Sequence, residues 1–259
     1  MSQLDLALDA EISTRHLSFV ESGRSQPSRE MVLRLAERLE LPLRERNVLL
    51  AAAGYAPVFG ERSLDDPALA AARRAVDLIL KGHEPYPALA IDRHWTLIAA
   101  NAAVQPLLTG CDPALLQPPA NVLRLSLHPQ GLAPRIVNWA EWRGHLLARL
   151  RRQIELTADP VLLGLAAEIE QFPPPDGVTP KGQNREKTHS ELFVPLQLRT
   201  EAGVLSFFST TTVFGTPIEI TLSELALETF FPADDATAAA LRQATAMNAG
   251  GGAAGAKPA

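Results

Sequence analysis

Residues 2–28 read SQLDLALDAEISTRHLSFVESGRSQPS, and their spacing decides the architecture of the N-terminal part of the chain. Leu4, Leu6, Ala7 and Ala10 recur at helical intervals, and after a break Leu17 and Val20 follow at a spacing of three. Ser13, just before the second set, suits a helix N-cap, because its hydroxyl can accept from a backbone N–H that the first turn leaves unpaired. Working outward, Met31, Leu33, Leu35, Ala36 and Leu39 form a third periodic set closed by Leu41-Pro42, and Val48 to Ala53 a fourth closed by Gly54. The pattern predicts a small all-α helix-turn-helix domain over residues 1–62.

A helix that reads DNA needs a polar face toward base edges, an apolar back on a support helix, and donors near its ends for phosphates. Thr14, Arg15, Ser18 and Phe19 share the face opposite Leu17 and Val20. Arg15 suits a bidentate contact with guanine, and Phe19 an apolar contact with a thymine methyl group. Gln3 and Ser13 stand at the starts of the paired helices, where donors meet phosphates, and Arg24 and Ser25 follow the reading helix on its other side. Residues 1–62 hold eight Lys plus Arg against nine Asp plus Glu, a net −1, whereas Ser13 to Arg34 hold four against two, a net +2. Basic charge is thus concentrated around the reading helix, and few phosphates can be neutralised, so non-specific affinity is expected to be weak. The plain alternative is a helical hairpin that only packs against the rest of the protein.

Beyond Asp66 the pattern changes to mixed α+β. Pro67 to Lys81 reads as a helix stopped by Gly82, Ala88–Ile91 and Trp95–Ala100 as a strand pair, and Asn101 as the cap of a short helix ending before Gly110. Ile136 to Thr157 is a long amphipathic helix with Trp139, Trp142, Leu146 and Leu150 on one stripe. The run Leu192, Val194, Leu196 and Leu198 alternates, Gly203–Phe214 is rich in β-branched and aromatic residues, and Pro217–Leu222 alternates again, which predicts an antiparallel sheet with flanking helices. Ala56 to Asp66 reads as a short connection, Gln171 to Ser190 as a lid, a binding loop or a mobile insertion, and residues 244–259 as a disordered tail. The second domain is expected over residues 63–243.

The chain has 259 residues with 24 Lys plus Arg against 29 Asp plus Glu, a net charge of −5, which excludes a uniformly basic nucleic-acid coat. The single cysteine, Cys111, leaves no intrachain disulfide and no Cys-rich metal site. The six histidines are scattered without HExxH, and GxSxG, GxxxxGK[ST] and GxGxxG are all absent. No catalytic residue, metal or cofactor is therefore expected, and the chain does not read as an enzyme. No apolar run approaches the roughly 18–20 residues of a membrane span, and no export signal follows Met1, so a cytoplasmic protein without membrane contact is expected.

Several motifs stand in a shared register. Ser2-Gln3, Leu6-Ala7, Ile12-Ser13, Leu17-Ser18, Glu21-Ser22-Gly23-Arg24-Ser25 and Pro27-Ser28, followed by LRLAERLELP at residues 33–42, resemble the XRE (phage repressor-like) helix-turn-helix family over about residues 2–55. Two departures are Glu11 where the family usually has glycine, and a chain that begins at the support helix without the family's first helix. GYAP at residues 54–57, HWTLIAANAA at 94–103 and residues 192–242 resemble the ligand-binding domain of MmyB-like transcription regulators. That resemblance implies a PAS-like fold whose cavity takes a small, apolar, fatty-acid-like ligand, with Trp139, Trp142 and Phe207 as candidate lining residues and His189 as a candidate polar anchor. Each has a bland counterpart in core packing or, for His189, simple solvation, and Arg199 and Arg143 share the ambiguity of His189 between polar anchor and surface charge. Phe207 and Phe208 point to opposite faces of one strand, so at most one can line a given cavity. Together the resemblances imply a regulator that binds double-stranded promoter or operator DNA as a homodimer and answers to a small ligand. A ligand- or lipid-binding sensor that has lost DNA binding through N-terminal truncation is the competing expectation.

Overall fold

The computed structural model describes residues 2–176 and 193–251, with side chains as far as residue 244. His189 and most of the expected loop Gln171–Ser190 lie outside the described residues. In chain order the described helices are α1 (Gln3–Asp9), α2 (Thr14–Glu21), α3 (Arg29–Arg38), α4 (Leu43–Ala52), α5 (Ala70–Gly82), α6 (Pro113–Leu116), α7 (Val122–Leu127), α8 (Trp139–Thr157), α9 (Pro160–Glu170), α10 (Ile220–Ser223) and α11 (Asp235–Gly251). The described strands are β1 (Ala88–Ile91), β2 (Leu97–Ala100), β3 (Leu196–Thr200), β4 (Gly203–Val213) and β5 (Ala226–Pro232). Contacts divide the chain into two compact units: Met1–Ala72 with Phe214–Glu224, and Arg73–Val213 with Leu225–Ala259.

The first unit is built from well-capped helices. Ser2 and Asp5 form a reciprocal capping box on α1, and the Ser13 hydroxyl accepts from the His16 N–H at 3.1 Å, as the sequence predicts. Ala7, Ala10, Leu17, Val32, Ala36 and Leu50 are buried. Glu11 takes the left-handed backbone its place in the turn demands, at φ 55°. Arg34 of α3 braces that turn by donating to the Ala10 carbonyl at 3.1 Å. After α4 the chain does not run free. The Asn47 side chain accepts from the Val58 and Phe59 N–H groups and donates to the Phe59 carbonyl at 2.8 Å, so this stretch folds back on α4.

One predicted strand is overturned in this unit. Pro217–Leu222 alternates apolar and polar residues, yet Ile218 is 84% exposed while Ile220 is buried. The Glu219 carboxylate accepts from the Thr221 N–H at 2.9 Å and starts α10, a local side-chain bond that ends the extended conformation.

In the second unit a curled five-stranded antiparallel sheet, in the order β2-β1-β5-β4-β3, is accompanied by that unit's own helices. Trp139, Trp142, Leu146 and Leu150 of α8 are buried in its core with Leu198, Leu205 and Phe207. Phe207 is 1% exposed, whereas Phe208 points to the other face and stacks on Phe231 at 5.2 Å. The described architecture is the mixed α+β one predicted.

Several boundaries move for identifiable reasons. The second strand begins at Leu97, not Trp95, because Asp92 accepts from the His94 and Thr96 N–H groups, both at 2.8 Å, and Trp95 turns to φ 65°. Asn101 is a buried pin instead of a helix cap: it accepts from Ala88 and donates to the Leu80 and Tyr86 carbonyls. Ile136 precedes α8 and pairs with Leu198 of β3. Helix α11 continues to Gly251, past the expected start of the tail, on an alanine-rich sequence with high helix propensity.

Candidate nucleic-acid interface and ligand cavity

Leu17 is 2% exposed and fixes α2 on its support, which turns Thr14, Arg15 and Ser18 outward. Phe19 is half-buried, and the Arg15 guanidinium lies 5.3 Å from its ring centroid. The stacking holds the two proposed base readers together as one unit with an apolar plate and a charged edge. Ser13 is exposed, and its hydroxyl oxygen accepts the capping bond from His16, which leaves its O–H free to donate to a phosphate. At the other end the Arg24 and Ser25 N–H groups both donate to the Phe19 carbonyl, at 2.8 and 3.1 Å, while the Arg24 side chain is exposed and Ser25 half-buried. Gln3 donates its amide to Glu21, tying the start of α1 to the end of α2. A phosphate contact from Gln3 therefore requires exchange of that bond. The eight residues are thus gathered on or beside the paired helices.

A cavity of about 830 Å³ lies in the second unit. Its apolar walls include Leu107, Leu205 and Leu241, and its charged groups are Glu84, Arg135, Arg199 and Glu201. Arg135 donates to the Leu107 carbonyl and comes within 3.9 Å of Cys111 Sγ, so its guanidinium is already anchored. Arg199 is exposed at the end of β3 and, among the described residues, has no hydrogen-bond or ion-pair partner. The Glu84 carboxylate accepts from the Ala102 N–H at 3.3 Å.

Trp139, Trp142 and Phe207 are placed elsewhere. None lines this cavity; at 6%, 4% and 1% exposure they belong to the packed core. Trp142 donates its indole N–H to Ser126 at 2.9 Å and stacks on His145 at 5.4 Å, and Trp139 lies 5.5 Å beneath the Arg143 guanidinium. Burial, aided by the charge of Arg149, pushes the His145 imidazole below its usual range. The cavity residues Glu84 and Arg135 carried no sequence signal. They come from a loop and a single 3-10 turn (Ala133–Arg135), where no periodicity marks a face. Among the described residues no group of three or more His, Cys, Asp or Glu is placed to hold a metal ion, and no helix is long and apolar enough to cross a membrane.

Two family models match the chain. One, described as the MmyB-like transcription regulator ligand binding domain, covers residues 72–244; the other, described as helix-turn-helix, covers residues 1–46. Both families are regulatory rather than enzymatic. No curated protein matches the chain.

Proposed function

The chain belongs to the MmyB-like transcription regulators, DNA-binding proteins with a ligand-sensing domain, and from that premise we propose which surfaces carry the two activities. The α2 face of Thr14, Arg15, Ser18 and Phe19 reads base edges in the major groove, with Arg24 and Ser25 holding the backbone beside it. The cavity takes a small apolar ligand with an anionic end, a fatty-acid-like molecule whose chain lies along Leu107, Leu205 and Leu241. Arg199 receives its carboxylate, because it is a guanidinium at the cavity without a partner among the described residues. Dodecanoate has this chemistry and serves as the probe.

The observation that carries the reading is Arg15 stacked over Phe19 on the exposed face of a helix whose back is buried. Arg15→Ala is expected to weaken binding to a preferred site in the DNA upstream of the chain's own coding region by about 1–3 kcal/mol and to relax discrimination at one base pair. Arg24→Ala should weaken binding to all sequences alike and reduce the salt slope by about one unit. Fluorescence anisotropy on specific and random duplexes separates the two, and equal losses on both duplexes for both variants would refute this division of roles.

A further inference from the structure

The first unit is not continuous in sequence. Phe214–Glu224 leaves the sheet after β4, joins the helices of the first unit, and returns to the sheet before β5. Val213 and Ala226 are ladder partners, so a turn of a few residues would connect them, yet the chain extends far beyond that. The extension is held at several points. Ile220 donates its N–H to the Gly60 carbonyl at 2.8 Å, and the Thr221 hydroxyl donates to the Arg62 carbonyl at 2.6 Å. Arg44 of α4 grips Glu224 with two bonds, Nε to Oε1 at 2.7 Å and Nη2 to Oε2 at 3.0 Å, and the same guanidinium holds Glu61. Fork-shaped pairing of this kind fixes direction as well as distance.

The root of the extension is equally firm. Thr211 of β4 pairs with Glu228 of β5, and Glu228, 4% exposed, accepts from Arg149 of α8 at 2.6 Å and from the Thr211 hydroxyl at 2.8 Å. Arg149 also donates to Thr211 at 3.1 Å. An ion pair on the buried Glu228 thus holds the ladder from which the arm leaves, the Ile220 and Thr221 bonds hold its tip, and the forked pair holds Glu224 where the chain turns back toward Ala226. The only other passage of the chain between the units falls between Ala72 and Arg73, inside α5. The stretch before it, which the sequence suggested as the connection, is bound to α4 through Asn47 and belongs to the first unit.

We propose that the arm 214–224 is the coupling element of this regulator: the side chains of Arg44 and Glu224 join α4 to the β4–β5 ladder, so that a change in the sheet is felt at the reading helices through the arm. The proposal rests on the assignment of DNA reading to the first unit and ligand binding to the second. Beside the crossing inside α5, the arm is a second path of the chain between the units. Side-chain ion pairs can open and close without unfolding a helix, which gives the link two arrangements that a ligand or DNA can bias.

Hydrogen exchange on the full chain, free of ligand and DNA, tests the link. Arg149→Met acts at the root and is expected to speed exchange of the Ile220 amide about fivefold or more, while Thr221→Ala acts at the tip, on the bond to Arg62, and speeds the Thr212 and Val213 amides by a comparable factor. Arg149→Met/Glu228→Gln removes both root charges and gives the same result without leaving a carboxylate buried alone. Unchanged exchange at Ile220 in both root variants, or at Thr212 and Val213 in Thr221→Ala, would overturn the proposal. Anisotropy on the upstream DNA with and without dodecanoate then reads Thr221→Ala/Glu224→Ala, which should keep each affinity but lose their mutual dependence; a retained dependence also overturns it. If the wild-type chain binds neither DNA nor dodecanoate, the functional assignment fails, and the exchange experiment still decides the arm.

Discussion

Two turn residues in the first unit take left-handed backbone, one against its residue type and one in keeping with it. Glu11 holds φ 55° with a side chain that disfavours it, while Gly54 holds φ 83° with none. Glu11 lies 3.8 Å from Arg34, but both side chains are exposed, so that ion pair contributes little. Glu11→Gly should therefore stabilise the protein by about 0.5 kcal/mol, the strain relief exceeding the entropy of a freer unfolded chain. At Gly54 an added Cβ would meet only Gln26 Nε2 at an ordinary 3.7 Å, so Gly54→Ala should cost about 1 kcal/mol from backbone strain alone. Urea midpoints of the two variants should move in opposite directions, and shifts of the same sign would contradict the argument. At this scale the sequence was legible where chemistry is local. The Ser13 cap follows from residue type and position, the Glu11 turn was reached only through the resemblance to a family with glycine there, and the opposed directions of Phe207 and Phe208 follow from strand geometry. The places of Trp139 and Trp142 were not legible, because a stripe at helical spacing looks the same whether it faces a core or a cavity.

At the scale of elements, helix α9 is held near its two ends by carboxylates, Asp159 and Glu168, whose charge depends on pH. Burial pushes the Asp159 carboxyl up, but hydrogen bonds from His94 and the Val161 N–H, with the charges of His94 and Arg93, outweigh it and the net displacement is downward. Glu168 is drawn down chiefly by its two hydrogen bonds from Arg124, both 2.7 Å. A carboxylate depressed in the folded state gives stability that is fully present above its unfolded value near pH 4 and is lost as pH falls through the folded one. His145 shares that sign for a different reason: burial disfavours its charged form, so its contribution is present above about pH 6.5 and is lost as pH falls through its depressed folded value. Stability should thus decline in two windows on acidification. Glu168→Gln is expected to flatten the lower one, and an unchanged acid limb in that variant would remove Glu168 from the account. The sequence was informative about β1, α5 and the stripe of α8, where periodicity and stop signals agree. It misled at Pro217–Leu222, because alternation over six residues also fits a segment whose middle residue caps a short helix. Nothing in that pattern shows that the segment leaves its sheet to join α4.

At the scale of the whole molecule, charge argues for assembly. Residues 1–62 carry a net −1, so a single reading unit neutralises few phosphates and gains little sequence-independent affinity. Two reading helices placed about 34 Å apart would engage successive major-groove turns on one face of the duplex. Sedimentation of the saturated complex is expected to give two protomers per site, and one protomer per site would contradict the dimer.

The central claim is that cavity and reading helices belong to one linked equilibrium. Anisotropy titrations of the full chain against its upstream DNA, with and without saturating dodecanoate, test it most directly when paired with dodecanoate titrations with and without that DNA. The account predicts a change in DNA affinity of about 5- to 150-fold, matched by the same factor in dodecanoate affinity, because coupling between two binding sites is reciprocal. DNA affinity that is the same in both conditions, with dodecanoate bound, would contradict it.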